Sequence, residues 1–212
     1  MKRLNIVTGH FGSGKTEFAL NFALSQTRKT TIVDMDTVNP YYRTADAKDV
    51  LMKNGVNVIL PYFANTNVDI PALPSEIYSV FTNKNQLAIF DVGGDEDGAL
   101  ALGQFNRYFT EETYEMFYVI NARRPLTREK EGVIAILREV EAASRLRVTK
   151  LINATHLGRE TTAKVVMEGQ ALVEEISHQT GIPIGYTAVK RGIDVSVKNP
   201  VIQLELFIKA PF

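Results

Sequence analysis

Short, near-continuous apolar runs alternate along the chain with longer stretches in which apolar residues recur every three or four positions. The runs at Leu4–Thr8, Thr31–Met35, Val56–Leu60, Leu87–Asp91, Met116–Asn121, Val148–Asn153 and Ile184–Ala188 predict strands covered on both faces. The intervening stretches predict helices over Lys15–Ser25, Thr44–Asn54, Pro74–Phe81, Gly98–Phe109, Thr127–Leu146 and Thr161–Gln179. In the longest of these, Val133, Ile136, Leu137 and Val140 fall on one face, and Thr127 is placed to cap its start. Gly55 and Gly181 follow helices where a C-terminal glycine belongs. The apolar tail Val201–Ile208 fits helix or strand, and helix is the expectation taken here. Strand–helix alternation of this kind predicts an α/β layered domain with a mainly parallel sheet, one domain spanning 1–212.

The first strand runs into Gly9-His10-Phe11-Gly12-Ser13-Gly14-Lys15-Thr16, a full match to G-x-x-x-x-G-K-[ST], and a helix follows. That context gives the motif its mechanics. Backbone N–H groups of the loop and the positive end of the helix form an anion cradle. Lys15 reaches the outer phosphates of a nucleoside triphosphate, and the Thr16 hydroxyl can ligate Mg²⁺.

In an open parallel sheet ligands sit beyond the carboxyl ends of the strands. Asp34 and Asp36 end the second strand, Asp91 the fourth and Asn153 the sixth. Asp91, followed by Val92-Gly93-Gly94, has the arrangement of a Walker B carboxylate that holds Mg²⁺ opposite the loop hydroxyl. Residues 91–98 are then a candidate switch segment, with Asp95, Glu96 and Asp97 read as solvated helix-start acids. Asp36 is the candidate for positioning the attacking water, and Asp34 the lesser one. Asn153 could pair with adenine's adjacent donor and acceptor, since no Lys-x-Asp run follows it to read guanine. Val189-Lys190-Arg191-Gly192 is a second place to hold base or ribose.

Composition narrows the alternatives. With 24 basic and 24 acidic residues, no global charge points to nucleic acid or an anionic membrane. The absence of cysteine excludes disulfides, thiolate zinc sites and an iron–sulfur cluster held by the chain's own thiolates. No apolar stretch approaches the ~20 residues of a membrane span, and Met-Lys-Arg leads straight into a strand; a cytoplasmic location is the expectation.

Taken in order, Gly-x-x-Gly-x-Gly-Lys-Thr, Val-Asp-Met-Asp, Asp-Val-Gly-Gly and Ile-Asn resemble the MinD/ParA/nitrogenase-iron-protein (SIMIBI) class of P-loop ATPases over about residues 1–195. Cobyrinate-diamide synthase nucleotide-binding domains and CooC-type ATPases belong to the same class. The resemblance implies a three-layer P-loop NTPase fold with a seven- or eight-stranded sheet, ATP with Mg²⁺ as cofactors, and a dimer whose nucleotide sites face each other. Carried over by position, Gly9, Phe11, Gly12, Ser13, Gly14, Lys15, Thr16 and Glu17 would line the phosphates and Asn153 the adenine. Thr16, Asp36 and Asp91 would serve the metal, with Lys15 and Asp36 catalytic. One departure stands out: His10 occupies the position of the lysine that reaches the partner's phosphates in that class, and histidine is shorter and mostly neutral near pH 7. His156 and His178 read as ordinary polar residues.

The functional expectation is a nucleotide-driven switch acting on a homodimer, a protein partner or a metal centre. A small-molecule kinase or ligase of the same fold stays open, as does a protein that binds ATP without hydrolysing it. Residues 36–43, with Tyr41, Tyr42 and Arg43, fit either an interface or tyrosines packed under the next helix. The proline-punctuated segment 61–74 fits either a functional loop or a stiffened connection.

Overall fold

A computed structural model describes residues 2–36, 44–61, 74–94 and 96–208. The expectations for Tyr41, Tyr42 and Arg43, for most of 61–74 and for Asp95 lie outside the described residues. Eight strands form one sheet in the order β3-β2-β4-β1-β5-β6-β7-β8, and every pairing is parallel. The strands are β1 Leu4–Thr8, β2 Thr30–Asp34, β3 Val56–Ile59, β4 Leu87–Asp91, β5 Tyr114–Ile120, β6 Lys150–Asn153, β7 Ile184–Lys190 and β8 Val201–Leu204. The α-helices are α1 Lys15–Leu24, α2 Lys48–Lys53, α3 Ile77–Thr82, α4 Glu96–Gly103, α5 Asn106–Thr110, α6 Lys130–Ser144 and α7 Ala163–Thr180.

The apolar runs work as strands because both faces are needed. Ile6, Phe90, Tyr118 and Ile120 point into a core shared with α3 to α7, while Val7, Ile89, Phe117 and Val119 point to a core under α1 and α2. The result is three layers, helix on sheet on helix. On the α1 side, Phe18 and Phe22 stack with centroids 5.6 Å apart, and both meet Phe117 edge-on.

Three expectations change. The tail is a strand, not a helix: Val201–Leu204 pairs in parallel with Thr187–Lys190. A run of only about eight apolar-rich residues after Pro200 makes a marginal helix, whereas the outer edge of β7 offers a ready row of backbone partners. The helix expected over Gly98–Phe109 is two, broken at Gln104-Phe105. Gly103 there lies against α6 so closely that a Cβ would stand 2.9 Å from the Ala143 carbonyl oxygen. Thr127 does not cap α6; its hydroxyl donates to the Asn121 carbonyl at 2.6 Å, and α6 starts at Lys130. Thr162, in contrast, does cap α7, accepting from Val165 N at 3.4 Å.

At the opposite end of the sheet from the glycine loop, Arg3 fastens several elements. Its Nε and Nη2 donate to the two Glu112 carboxylate oxygens at 2.6 and 2.8 Å, and its Nη1 donates to the Val80 carbonyl at 2.7 Å. Arg3, with Lys84 adding, holds the Glu112 carboxyl down to about 2 from its ordinary value of 4.5. A carboxyl with a depressed folded-state pKa stabilises above its unfolded value and loses that contribution as pH falls through the folded one. Glu112→Gln is therefore expected to be less stable than the parent at pH 7, with the gap closing between about pH 4.5 and 2. Urea melts across that range check it; a gap independent of pH would refute it.

Candidate nucleotide site

The strand order places β1 between β4 and β5, so the crevice beyond its carboxyl end opens where the winding reverses. Register then fixes what surrounds it. Val7 of β1 is level with Asp91 of β4, and Asp91 is level with Asp34 of β2. Neighbours level in a sheet share a face about 4.8 Å apart, so Asp34 and Asp91 stand side by side with Asp36 just beyond them.

The loop from Gly9 to Gly14 needs its glycines for three separate reasons. Gly9 passes so near β5 that a Cβ would sit 2.3 Å from the Val119 carbonyl oxygen. Gly12 and Gly14 have φ of 70° and 89°, the left-handed region that strains other residues. Gly14 caps α1 with no side-chain hydrogen bond, and its carbonyl accepts from Phe18 N at 3.0 Å. The first-turn amides of Lys15, Thr16 and Glu17 are left by helix geometry without helical acceptors, which is what an anion requires. Ser13 is buried with no hydrogen-bond partner for its hydroxyl among the described residues, and Phe11 is 52% exposed at the loop's tip.

Lys15 and Asp36 are both buried, with Nζ 3.7 Å from Oδ2. Burial pushes the Asp34 carboxyl up to about 8, with Asp91 adding, although it accepts Asp36 N at 2.9 Å. Burial also raises Asp91, opposed by Lys15 and by the Thr16 and Thr44 hydroxyls. Asp91 Oδ2 accepts from Thr44 Oγ1 at 3.3 Å, while Oδ1 is buried without a hydrogen-bond partner among the described residues. An unpartnered carboxylate oxygen beside Thr16 and Asp36 fits a hard, oxygen-seeking cation such as Mg²⁺. His10 is held below its ordinary range by burial, then by Lys15 and Arg124, so its ring is neutral at pH 7.

Two expected nucleotide contacts are otherwise engaged. Asn153 is fully enclosed: Nδ2 donates to Val166 O and Gln170 Oε1, both at 3.1 Å, and Oδ1 accepts Thr155 N at 3.1 Å. Its amide is thus engaged by partners on α7 and in the loop after β6. Glu17 points away from the loop and accepts the backbone N–H groups of Phe207 at 3.0 Å and Ile208 at 2.8 Å. Asn21, one turn on, donates to Glu205 O and accepts from Glu205 N, each at 2.9 Å. The segment 205–208 is thus strapped along α1.

That strap helps form a cavity of about 90 Å³ beside Gly14, walled mainly by Ala154, Val166, Ala188, Val189, Leu204 and Leu206. Lys190, from the second expected base site, lines it too, whereas Arg191 pairs with Glu205. Larger depressions of about 610 and 400 Å³ lie on the outer side of α7, open and away from the loop.

Residues not singled out by sequence also surround the loop. Asn121, at the end of β5, accepts His156 N at 3.2 Å and Arg123 N at 3.0 Å, bridging two strand ends. The His156 ring donates from Nδ1 to Ala154 O at 2.8 Å and abuts Gly14; burial keeps its proton affinity low. Arg124 donates from Nε to the Gly12 carbonyl at 2.9 Å. Position at a strand end was the available signal for Asn121. Gly94 presses on the loop as well, with a Cβ there 2.7 Å from Phe11 N, so the segment after Asp91 touches the phosphate cradle directly.

No protein-family model and no curated protein matches the sequence. Among solved structures, the chain is similar to the cell division protein FtsY from Thermotoga maritima (20% identity, TM-score 0.56), covering 87% of this chain and 61% of that one. It is similar to the signal recognition particle receptor FtsY from Elizabethkingia anophelis in complex with GDP (19%, TM-score 0.56), over 89% and 57% of the two chains. The signal recognition particle 54 kDa protein from Aeropyrum pernix K1, also with GDP, matches at 17% and TM-score 0.52, over 87% and 41%. The chain spans about three-fifths or less of these proteins. What they share with it is the fold, a three-layer α/β architecture of the P-loop NTPase kind. Among the described residues no helix is long and apolar enough to cross a membrane.

The strap depends on Glu17. Replacing Glu17 by Ala should release 205–208, costing about 1–2 kcal/mol of stability for the lost charge-assisted bonds. The Phe207 and Ile208 amides should exchange with deuterium at least tenfold faster; unchanged exchange would show that β8 alone holds the segment.

Proposed function

We propose that this chain is a Mg²⁺-dependent nucleoside triphosphatase, with ATP as its nucleotide, working as a nucleotide-driven switch on a protein partner, a second copy or a metal centre. The observation that carries the reading is the convergence of Lys15, Asp36 and the unpartnered oxygen of Asp91 at the amide-rich start of α1. Phosphoryl transfer to water asks for little covalent chemistry from a protein; it needs positioning and charge. Loop amides and Lys15 would bind the phosphates, Lys15 exchanging part of its Asp36 contact for the outer ones. Asp36, buried beside Lys15, would orient the attacking water. Thr16, Asp36 and Asp91 would hold the Mg²⁺ ion, which neutralises developing phosphate charge when bound. Gly94, against Phe11 N, would pass the presence of the terminal phosphate to α4 and so to a partner.

Adenine is favoured by the lining of the cavity beside Gly14. Its acid among the described lining residues is Glu17, whose oxygens already take backbone amides, leaving no carboxylate for guanine's N1–H and amino group. The GDP bound in two structures of similar fold supports the competing guanine reading. Calorimetry with both triphosphates separates them, a tenfold or greater preference for ATP being expected.

For hydrolysis, Asp36→Ala should lower the rate about 100-fold or more while triphosphate affinity stays within about threefold. Lys15→Ala should weaken binding itself. Phosphate release followed alongside equilibrium binding is the measurement. A wild-type protein that binds triphosphate and never releases phosphate would remove the enzyme reading, and an Asp36→Ala variant with full activity would remove the residue's role.

A further inference from the structure

The turn between β5 and α6 carries a cation that the phosphate reading above has not used. Arg124 is exposed, yet its position is well determined. Its N–H donates to Asn121 O at 3.2 Å, its carbonyl accepts Thr127 N at 3.0 Å, and Pro125 keeps it extended at φ −90°, ψ 143°. The side chain lies flat over the glycine loop. A Cβ on Gly12 would stand 2.8 Å from both Nε and Cζ and 2.9 Å from Nη2. Nε is engaged by the Gly12 carbonyl. The two terminal nitrogens have no carboxylate or carbonyl partner among the described residues, whereas adjacent Arg123 is paired with Glu168. A guanidinium held against a phosphate-binding loop, with its planar fork free, is a stronger phosphate ligand than an ammonium in the same place.

We propose that Arg124 is a second phosphate-binding cation, gripping the nucleotide's phosphates from the β5–α6 turn while Lys15 does so from α1. This rests on the nucleotide reading above. The competing explanation is that Arg124 only caps the Gly12 carbonyl and stiffens the loop. Arg124→Gln keeps an N–H donor and loses the charge; Arg124→Lys keeps the charge and loses the fork. Equilibrium binding of Mg-ATP to the full chain and these two variants, at 50 and 300 mM salt, with thermal midpoints of each without nucleotide, distinguishes the two. Arg124→Gln is expected to bind about tenfold or more weakly at low salt, with the deficit shrinking at high salt. Arg124→Lys should stay within about fivefold of the parent, and both thermal midpoints should match it. Equal affinity of the Gln variant and the parent overturns the proposal, as does a loss that does not shrink at high salt and comes with a lowered thermal midpoint, which marks a capping role. A parent protein that takes up no nucleotide overturns the nucleotide reading and this inference with it; binding by the parent with no effect at Arg124 overturns this inference alone.

Discussion

A helix that begins where a buried strand ends leaves its first amides without acceptors, and the rest of the site is arranged around that shortage. The start of α1 lies in the crevice beside β4 and β5, and it has no capping side chain; Gly14 caps it with backbone alone. The loop that makes this possible is held from several sides. Gly9 is pressed against Val119, Gly12 lies under Arg124, Gly14 sits beside His156, and Gly94 closes from the β4 side. None of the four positions leaves room for a Cβ without displacing a neighbour or adopting a strained φ. The loop is therefore closely confined by its neighbours, and such confinement lets backbone amides bind an anion at small reorganisation cost.

Charge makes the same site unfinished. Among the described residues, three carboxyls, Asp34, Asp36 and Asp91, are buried within one patch, and Lys15 is the single buried ammonium facing them. Burial raises the proton affinity of Asp34 and Asp91, and their level positions on adjacent strands add to it for Asp34. Buried acids with an unpartnered oxygen are costly to a fold and useful to a site. On the proposed reading a divalent cation would relieve the repulsion, and phosphates would have both Lys15 and the cation to balance. The order of acids along β2 assigns them different work. Asp34 is tied to the backbone of Asp36, while Asp36 reaches the lysine.

Much of this was legible in the chain, for local reasons. The strand before Gly9 and the helix after Thr16 gave the motif its meaning, and Asp91 and Asp36 were recognisable as strand-end acids, because these signals are written in consecutive residues. What escaped was written across the fold. Val201–Leu204 fits helix or strand by its own pattern; β7 decides it by offering an edge. Asn153 has the right chemistry for a base, yet Gln170, Val166 and Thr155 were nearer. Glu17 looked like part of the phosphate loop and instead serves residues 190 positions further on. Arg124 and His156 come from turns whose meaning depends on which strand end adjoins which.

The engagement of Asn153 and Glu17 also changes where base recognition can reside. Asn153 belongs to a largely buried polar network with Gln170, Thr187 and Asn199, which joins β6, β7 and α7. Such a network is costly to open, because each buried amide would lose partners it cannot replace. On the proposed reading, a base entering the cavity would meet its apolar walls together with Glu17, Thr155, His156, Thr161 and Lys190, and no side-chain amide among the described lining residues. Two of those walls, Leu204 and Leu206, belong to β8 and the strap, and the strap is anchored on Glu17 in the turn of α1 that starts the phosphate cradle. Cavity and glycine loop thus meet at the first turn of α1, where Gly14 and Glu17 line the one and Gly14 ends the other.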